Sequence, residues 1–237
     1  MTNVTIGIDL GDKNHEVCVL DQEGYVSKRF TVGNTKKQLQ KVFPQYAGAV
    51  VAMETGTHSP WVSRALESLG CHVLVGNARK LRLIWASDHK SDVKDAEMLA
   101  RIVRFDRNLL HPIHHRSAQA QIDLEQIKAR DTIVRTRTSL INHVRTAVKA
   151  IGERLPTCGA DCFHKRAEVS IPDALRGALM PIVEQIRSLT AHIRDYDRAI
   201  EELATTTYPQ TAVLRQVHGV GTLTALTFIL TFDSPDR

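Results

Sequence analysis

The sequence predicts an α/β fold: a mixed sheet within the first 110 residues, followed by long antiparallel helices. Three observations carry that prediction. Short β-branched and aliphatic runs alternate with helix-like stretches in the first half of the chain. The first three runs are separated only by turns, which reads as an antiparallel meander ahead of the βα units. After Arg116 the strand signals stop, and apolar residues recur at helical spacing.

Each element has a local reason. VTIGIDLG, residues 4–11, is a buried strand ending in Gly. HEVCVLDQEGYVSKRFTVGN, residues 15–34, reads as two strands turning at Gln22-Glu23-Gly24. TKKQLQKVFPQYA is a short helix. GAVVAMETG, residues 48–56, is a fourth strand with Glu54 at its end. SPWVSRALESLG is a helix with Ser59 as the expected N-cap, Pro60 in the first turn and Gly70 at the C-terminus. CHVLVGN, residues 71–77, is a fifth strand. ARKLRLIWA is a short helix, DHKS a polar loop, and KSDVKDAEMLARIV opens another helix. A meander followed by βα units narrows the class to the ribonuclease H-like arrangement, whose core the actin-like kinases share.

Residues 117–152 are helix-like throughout, with Ile133, Leu140, Ile141, Val144, Val148 and Ile151 as an apolar stripe. Residues 173–205 repeat the pattern with Leu175, Leu179, Ile182, Ile186, Leu189, Ile193, Ile200 and Leu203. Two such helices joined by the connector TCGADCFHKRAEVSIP predict an antiparallel coiled-coil arm. HPIHH, with His111, His114 and His115, reads as a solvated loop. Near the end, Val217, Gly219, Val220 and Gly221 lead into an apolar helix. That turn offers free N–H groups for a phosphate, or serves as a tight packing turn.

Composition bounds the function. The 237 residues, 43% hydrophobic, suffice for one large domain or two smaller cores. No apolar run is long enough to span a membrane and no signal-peptide layout begins the chain, so a cytosolic protein is expected. The net charge of +5 hints at a polyanionic partner. From Arg101 to Lys149 ten basic residues face only four acidic ones. Within that stretch Arg130, Arg135 and Arg137 are the expected contacts to a nucleic-acid backbone, and a solvated helix face is the plainer alternative. Of four cysteines, Cys18 and Cys71 lie in strand-like runs and read as core residues. Cys158, Cys162 and His164 have zinc-like spacing but lack a visible fourth ligand.

The chemistry concentrates in carboxylates. Asp92 and Asp95 are three apart where a helix begins. They suit a helix N-terminus, and they also share one helix face and can point at one spot. Asp9 lies near the end of the first strand and Glu54 at the end of the fourth. In a ribonuclease H-like sheet those strand ends lie side by side, and a later helix crosses the same edge. Four converging carboxylates repel one another unless a hard cation such as Mg²⁺ sits among them.

These blocks carry a resemblance. IGIDLGDKNH with Asp9, VVAMETGTHSPW with Glu54 and HKSDVKDAEMLAR with Asp92 and Asp95 resemble the transposases of the insertion-sequence 110 family, the bridge-RNA-guided recombinases. VHGVGTLTALTF looks like the family's glycine turn, and the likeness covers essentially the whole chain. It implies a RuvC-like domain over residues 1–110, with Asp9, Glu54, Asp92 and Asp95 as catalytic ligands of Mg²⁺ or Mn²⁺. It implies a helical arm over 111–208 that serves homo-oligomer assembly. Residues 209–237, with Gly219 and Gly221 as a nucleic-acid-binding turn, would begin a C-terminal transposase domain. The implied partners are DNA and a structured bridge RNA, and the setting is the cytoplasm of a prokaryotic cell, at the nucleoid. The family's nucleophilic serine lies well beyond the glycine turn, and Ser234 is too early to fill that role. Complete strand transfer by these residues alone is therefore not expected. Three other readings stand beside this one: an actin-like sugar kinase, a RuvC-type junction nuclease, and a non-catalytic nucleic-acid-binding remnant.

Overall fold

The computed structural model describes residues 4–81 and 92–234. Its contacts divide the chain after His115 into two compact units.

In the first unit, β1 (Thr5–Asp9), β2 (Asn14–Leu20) and β3 (Val26–Gly33) form the antiparallel meander. Gly24 turns β2 into β3 at a φ of 93°, a left-handed conformation that costs glycine little. β4 (Val50–Glu54) pairs with β1 in parallel, and β5 (His72–Gly76) pairs with β4 in parallel. The sheet order is β3-β2-β1-β4-β5-β6. This is the ribonuclease H-like arrangement.

The sixth strand corrects the reading of HPIHH as a loop. β6 (Pro112–Ile113) pairs antiparallel with β5, Val75 opposite Ile113 and Gly76 opposite Pro112. Two residues are too few to show a period-2 pattern. They are recruited because the outer edge of β5 has backbone groups to satisfy, and Pro is tolerated on an edge strand.

Each face of the sheet has its own helices. Ile6, Ile8, Val17, Val19, Val51 and Met53 point to one side. There they meet Leu39 of α1 (Lys36–Val42), Phe43 of the following 3-10 turn (Phe43–Tyr46), and Val62 and Leu66 of α2 (Ser59–Ser68). α1 is capped by Thr35, whose side chain accepts from the Gln38 N–H. Ser59 does not cap α2 as expected. Its hydroxyl instead donates to the Gly56 carbonyl at 2.9 Å and accepts from the Gly56 N–H at 3.0 Å. Ser59 thus closes the turn that leads into the helix, and His58 occupies the cap position.

The alternate residues of the strands face the other way. Ala52 packs with Leu81 of α3 (Ala78–Leu81), with Leu99, Ile102 and Val103 of α4 (Asp92–Phe105), and with Leu110 of a 3-10 turn (Arg107–Leu110). Cys18 and Leu20 pack with Ala96 and Ala100. Both Cys18 and Cys71 are buried, reduced core residues.

The second unit is helical. α5 (Ala118–Ala150) and α7 (Asp173–Thr206) run antiparallel, with Arg130 opposite Asp197 and Arg137 opposite Thr190. The connector between them is not irregular throughout: α6 (Phe163–Ser170) forms within it. Phe163 and Ala167 are buried against Val144, Val148, Leu179 and Val183. Two anchors in eight residues are too few for a visible stripe, so this helix exists through its packing. Ile151 leaves the expected stripe, exposed at the end of α5. α8 (Thr211–Leu214) and α9 (Thr222–Phe232) follow, and Leu226 and Leu230 pack with Leu124, Ile127, Ile200 and Ala204. No helix among the described residues is long and apolar enough to cross a membrane.

Candidate active site

The ladder that pairs β1 with β4 runs from Thr5 opposite Val50 to Ile8 opposite Met53. One residue further, Asp9 and Glu54 end the two strands side by side. Strand alternation then fixes their direction. Ile8 and Met53 enter the core beneath α1 and α2, so Asp9 and Glu54 point to the face covered by α4.

Gly7 sets how close α4 comes. A Cβ built at Gly7 would stand 1.9 Å from the Ala96 carbonyl oxygen and 2.6 Å from the Ala100 nitrogen. Only a residue without a side chain permits that approach. Asp95 directly precedes Ala96, and Asp9 lies two residues beyond Gly7 on the same face of β1.

The direction of α4 is set at its other end. Arg104 in the last turn donates to the Asp21 carbonyl at 3.2 Å and to the Gln22 carbonyl. Those carbonyls follow Leu20, which pairs with Thr5 at the start of β1. The helix therefore begins over the C-terminal ends of β1 and β4, where the strand acids are. Glu97 braces it, pairing with Arg29 of β3 and with Arg101 at 2.7 Å. The Arg29 guanidinium foremost, with that of Arg101, holds the Glu97 carboxyl below its ordinary value.

The structure thus brings Asp9, Glu54 and the first turn of α4, with Asp95, to one edge of the sheet. The side chain of Asp92 lies outside the described residues. Among the described residues no three His, Cys, Asp or Glu side chains gather closely enough to hold a metal ion. Neither Asp9, Glu54 and Asp95 nor Cys158, Cys162 and His164 form such a group. The donors at the sheet edge are all carboxylates, which suit a hard, oxygen-seeking cation rather than zinc.

A fifth acid shares this edge and was not singled out in the sequence. Glu16 on β2 pairs directly with Asp9. Residues directly opposite in an antiparallel ladder project to the same face. Its Oε1 accepts from the Thr31 hydroxyl on β3 at 2.9 Å. The clue in the sequence is only a Glu seven residues after Asp9, which has no meaning until the hairpin register is known.

Behind this edge, on the face of α2, His15 is fully buried, with its ring 6.4 Å from those of His58 and Trp61. Burial, with the neighbouring His58, pushes its pKa down, so it is held as the neutral imidazole. It serves as a packing residue beneath the loop that follows Asp9.

The expected nucleic-acid contacts fall differently. Arg130 pairs with Asp197 at 2.5 Å and ties α5 to α7. Arg137 is half-buried between the helices, its Nη1 3.4 Å from the Thr190 hydroxyl. Arg135 projects outward and pairs with Asp131 at 2.8 Å. Gly219 adopts a φ of 85°, a left-handed turn that explains a glycine there. A Cβ at Gly219 or Gly221 would meet nothing within 4 Å, so close packing is not what these glycines serve. Gly221 is the N-cap of α9 with no side-chain cap.

Comparison with known proteins agrees with this layout. The family model for DEDD transposases of the IS110 type, described as "Transposase", matches residues 6–152. The match spans Asp9, Glu16, Glu54, Asp92 and Asp95 and all of α5. The chain is also similar to the transposase for insertion sequence element IS1111A of Coxiella burnetii (strain RSA 493 / Nine Mile phase I), at 22% identity over 228 residues. That similarity covers 93% of this chain and 61% of the relative's own length. With the family match covering more than half of its residues, this chain belongs to the IS110 family of DEDD transposases.

Proposed function

We propose that the first unit is the metal-dependent catalytic domain of a DNA transposase, with Asp9, Glu54, Asp92 and Asp95 as the ligands of Mg²⁺ or Mn²⁺. The observation that supports it most is that Asp9 and Glu54 end the adjacent parallel strands β1 and β4, with α4 packed over β1 at Gly7. Membership of a DEDD transposase family adds to it.

Divalent ions at such a site activate an oxygen nucleophile and stabilise the leaving oxygen in phosphodiester exchange. The chain's own part is to position the charges. On this reading β1 and β4 hold Asp9 and Glu54 on rigid backbone, and the contacts of Arg29, Glu97 and Arg104 fix the direction of the helix that carries Asp95. A structured guide RNA and self-association through the α5–α7 arm belong to the same reading, in a cytoplasmic setting. Arg135, Gly219 and Gly221 remain the most accessible of the expected nucleic-acid contacts.

Titration calorimetry with Mn²⁺ tests the metal site directly. Wild type should bind, and Asp9→Ala and Asp92→Ala should each abolish binding while keeping the fold by circular dichroism. Unchanged binding in both variants would remove the four-acid site and return Asp92 and Asp95 to simple helix capping.

A further inference from the structure

Of the twelve arginines in residues 116–234, five form ion pairs: Arg130 with Asp197, Arg135 with Asp131, Arg187 with Glu168, Arg198 with Asp195 and Arg215 with Glu201. In the first unit, residues 24–53 carry Lys28, Arg29, Lys36, Lys37 and Lys41 and no Asp or Glu. Arg29 is taken by Glu97. Among the described residues, Lys28, Lys36, Lys37 and Lys41 form no salt bridge, and all four are exposed.

These lysines share a surface. β3 is the outermost strand of the sheet, and α1 follows it after Gly33. Leu39 and Phe43 are buried in the core, which leaves Lys36, Lys37 and Lys41 on the solvent side of α1. Lys28 lies over the Phe30 ring at 5.2 Å from its centroid. Phe30 in turn stacks on Tyr46, just past α1, with the rings 9° from parallel. Strand and helix thus present one cationic face on a stacked aromatic base. The acids that bond to β3 are engaged elsewhere: Glu16 with the Thr31 hydroxyl and Glu97 with Arg29.

Folding alone does not account for this arrangement. Lys36 and Lys37 open α1, where the helix dipole favours acids, and no acid stands in that turn. A sequence that breaks a local rule on an exposed face points to a use for that face. Lysines on an edge strand do discourage strand addition, but that explains Lys28 and not the three on α1.

We infer that the β3–α1 face is a docking surface for the phosphate backbone of duplex DNA. The inference rests on the DNA reading above but not on the metal site. Charge complementarity carries it: four unneutralised ammonium groups on one face meet the partner with the densest negative charge. The contact would be independent of base sequence, since lysine ammonium groups act as point charges on phosphates.

The test is a salt titration of binding to a random-sequence DNA duplex, using the full chain. The quadruple variant K28A/K36A/K37A/K41A should lower the slope of log affinity against log salt by roughly 2–3.5, at about 0.9 per lost phosphate contact. K36A/K37A alone should give about half that loss. An unchanged slope in the quadruple variant, with wild type binding, overturns the inference and leaves these lysines as edge protection. A loss seen only with a structured RNA and not with DNA overturns the DNA assignment. Absence of DNA binding by wild type overturns both this inference and the DNA reading on which it rests.

Discussion

Gly7 lies directly beneath Ala96, with no room between them for a methyl group. This contact joins the central strand to the helix that carries Asp95. It decides whether three sequence-distant acids share one edge. Substitution Gly7→Ala must push α4 away from the sheet, because the obstacle is backbone and cannot rotate aside. The expected cost is about 1–3 kcal/mol, the range for overpacking a close-packed interior. Mn²⁺ affinity should fall as well, although no ligand has changed. Urea denaturation and calorimetry on the same variant check both. A variant with full stability and full affinity would show that α4 is held by its braces alone.

Glu16 faces Asp9 across the hairpin, and two like charges directly opposite destabilise a sheet. Glu16→Gln should therefore have two effects of opposite sign. The metal-free protein should gain about 0.2–1 kcal/mol as the repulsion goes. Mn²⁺ binding should weaken by roughly tenfold, the lower end of what outer-shell partners contribute. Thr31→Val, which removes the hydrogen bond to Glu16, should weaken binding in the same direction but less. If Glu16→Gln changes stability alone, the residue is a surface acid with no part in the site.

The helical unit has its own titrating contact. Tyr208 donates to the buried Asp123 carboxylate at 2.6 Å, and Gln119 donates to the same group at 2.9 Å. Burial first, then this hydrogen bond, push the Tyr208 hydroxyl up to about 12 from 10.0. A raised folded-state value means the contribution is fully present below pH 10 and is lost as pH climbs toward 12. Tyr208→Phe should cost about 1.5–3 kcal/mol at neutral pH, typical of a hydrogen bond to a charged partner. The gap between wild type and variant should then narrow between pH 10 and 12, followed by stepwise urea melts. A gap that stays constant across that window would exclude ionisation of Tyr208 as its source.

The meander and the two long helices were legible in the residues themselves. Alternation and helical spacing are local properties, so runs such as VTIGIDLG and VVAME declare strands without knowledge of their neighbours. Elements held together mainly by partners were not legible. Pro112–Ile113 is a strand because β5 has an open edge, and Phe163–Ser170 is a helix because a pocket between α5 and α7 receives Phe163. The same division runs through the candidate sites. Asp9, Glu54, Asp92 and Asp95 stand out by type and position, whereas Glu16 acquires meaning only from hairpin register. The arm arginines looked like free charges in the sequence, and their neutralisation by Asp131 and Asp197 was hidden because Asp197 is 67 residues away from Arg130. Local pattern reports what a segment prefers, and the folded chain alone reports which charges and edges are already satisfied.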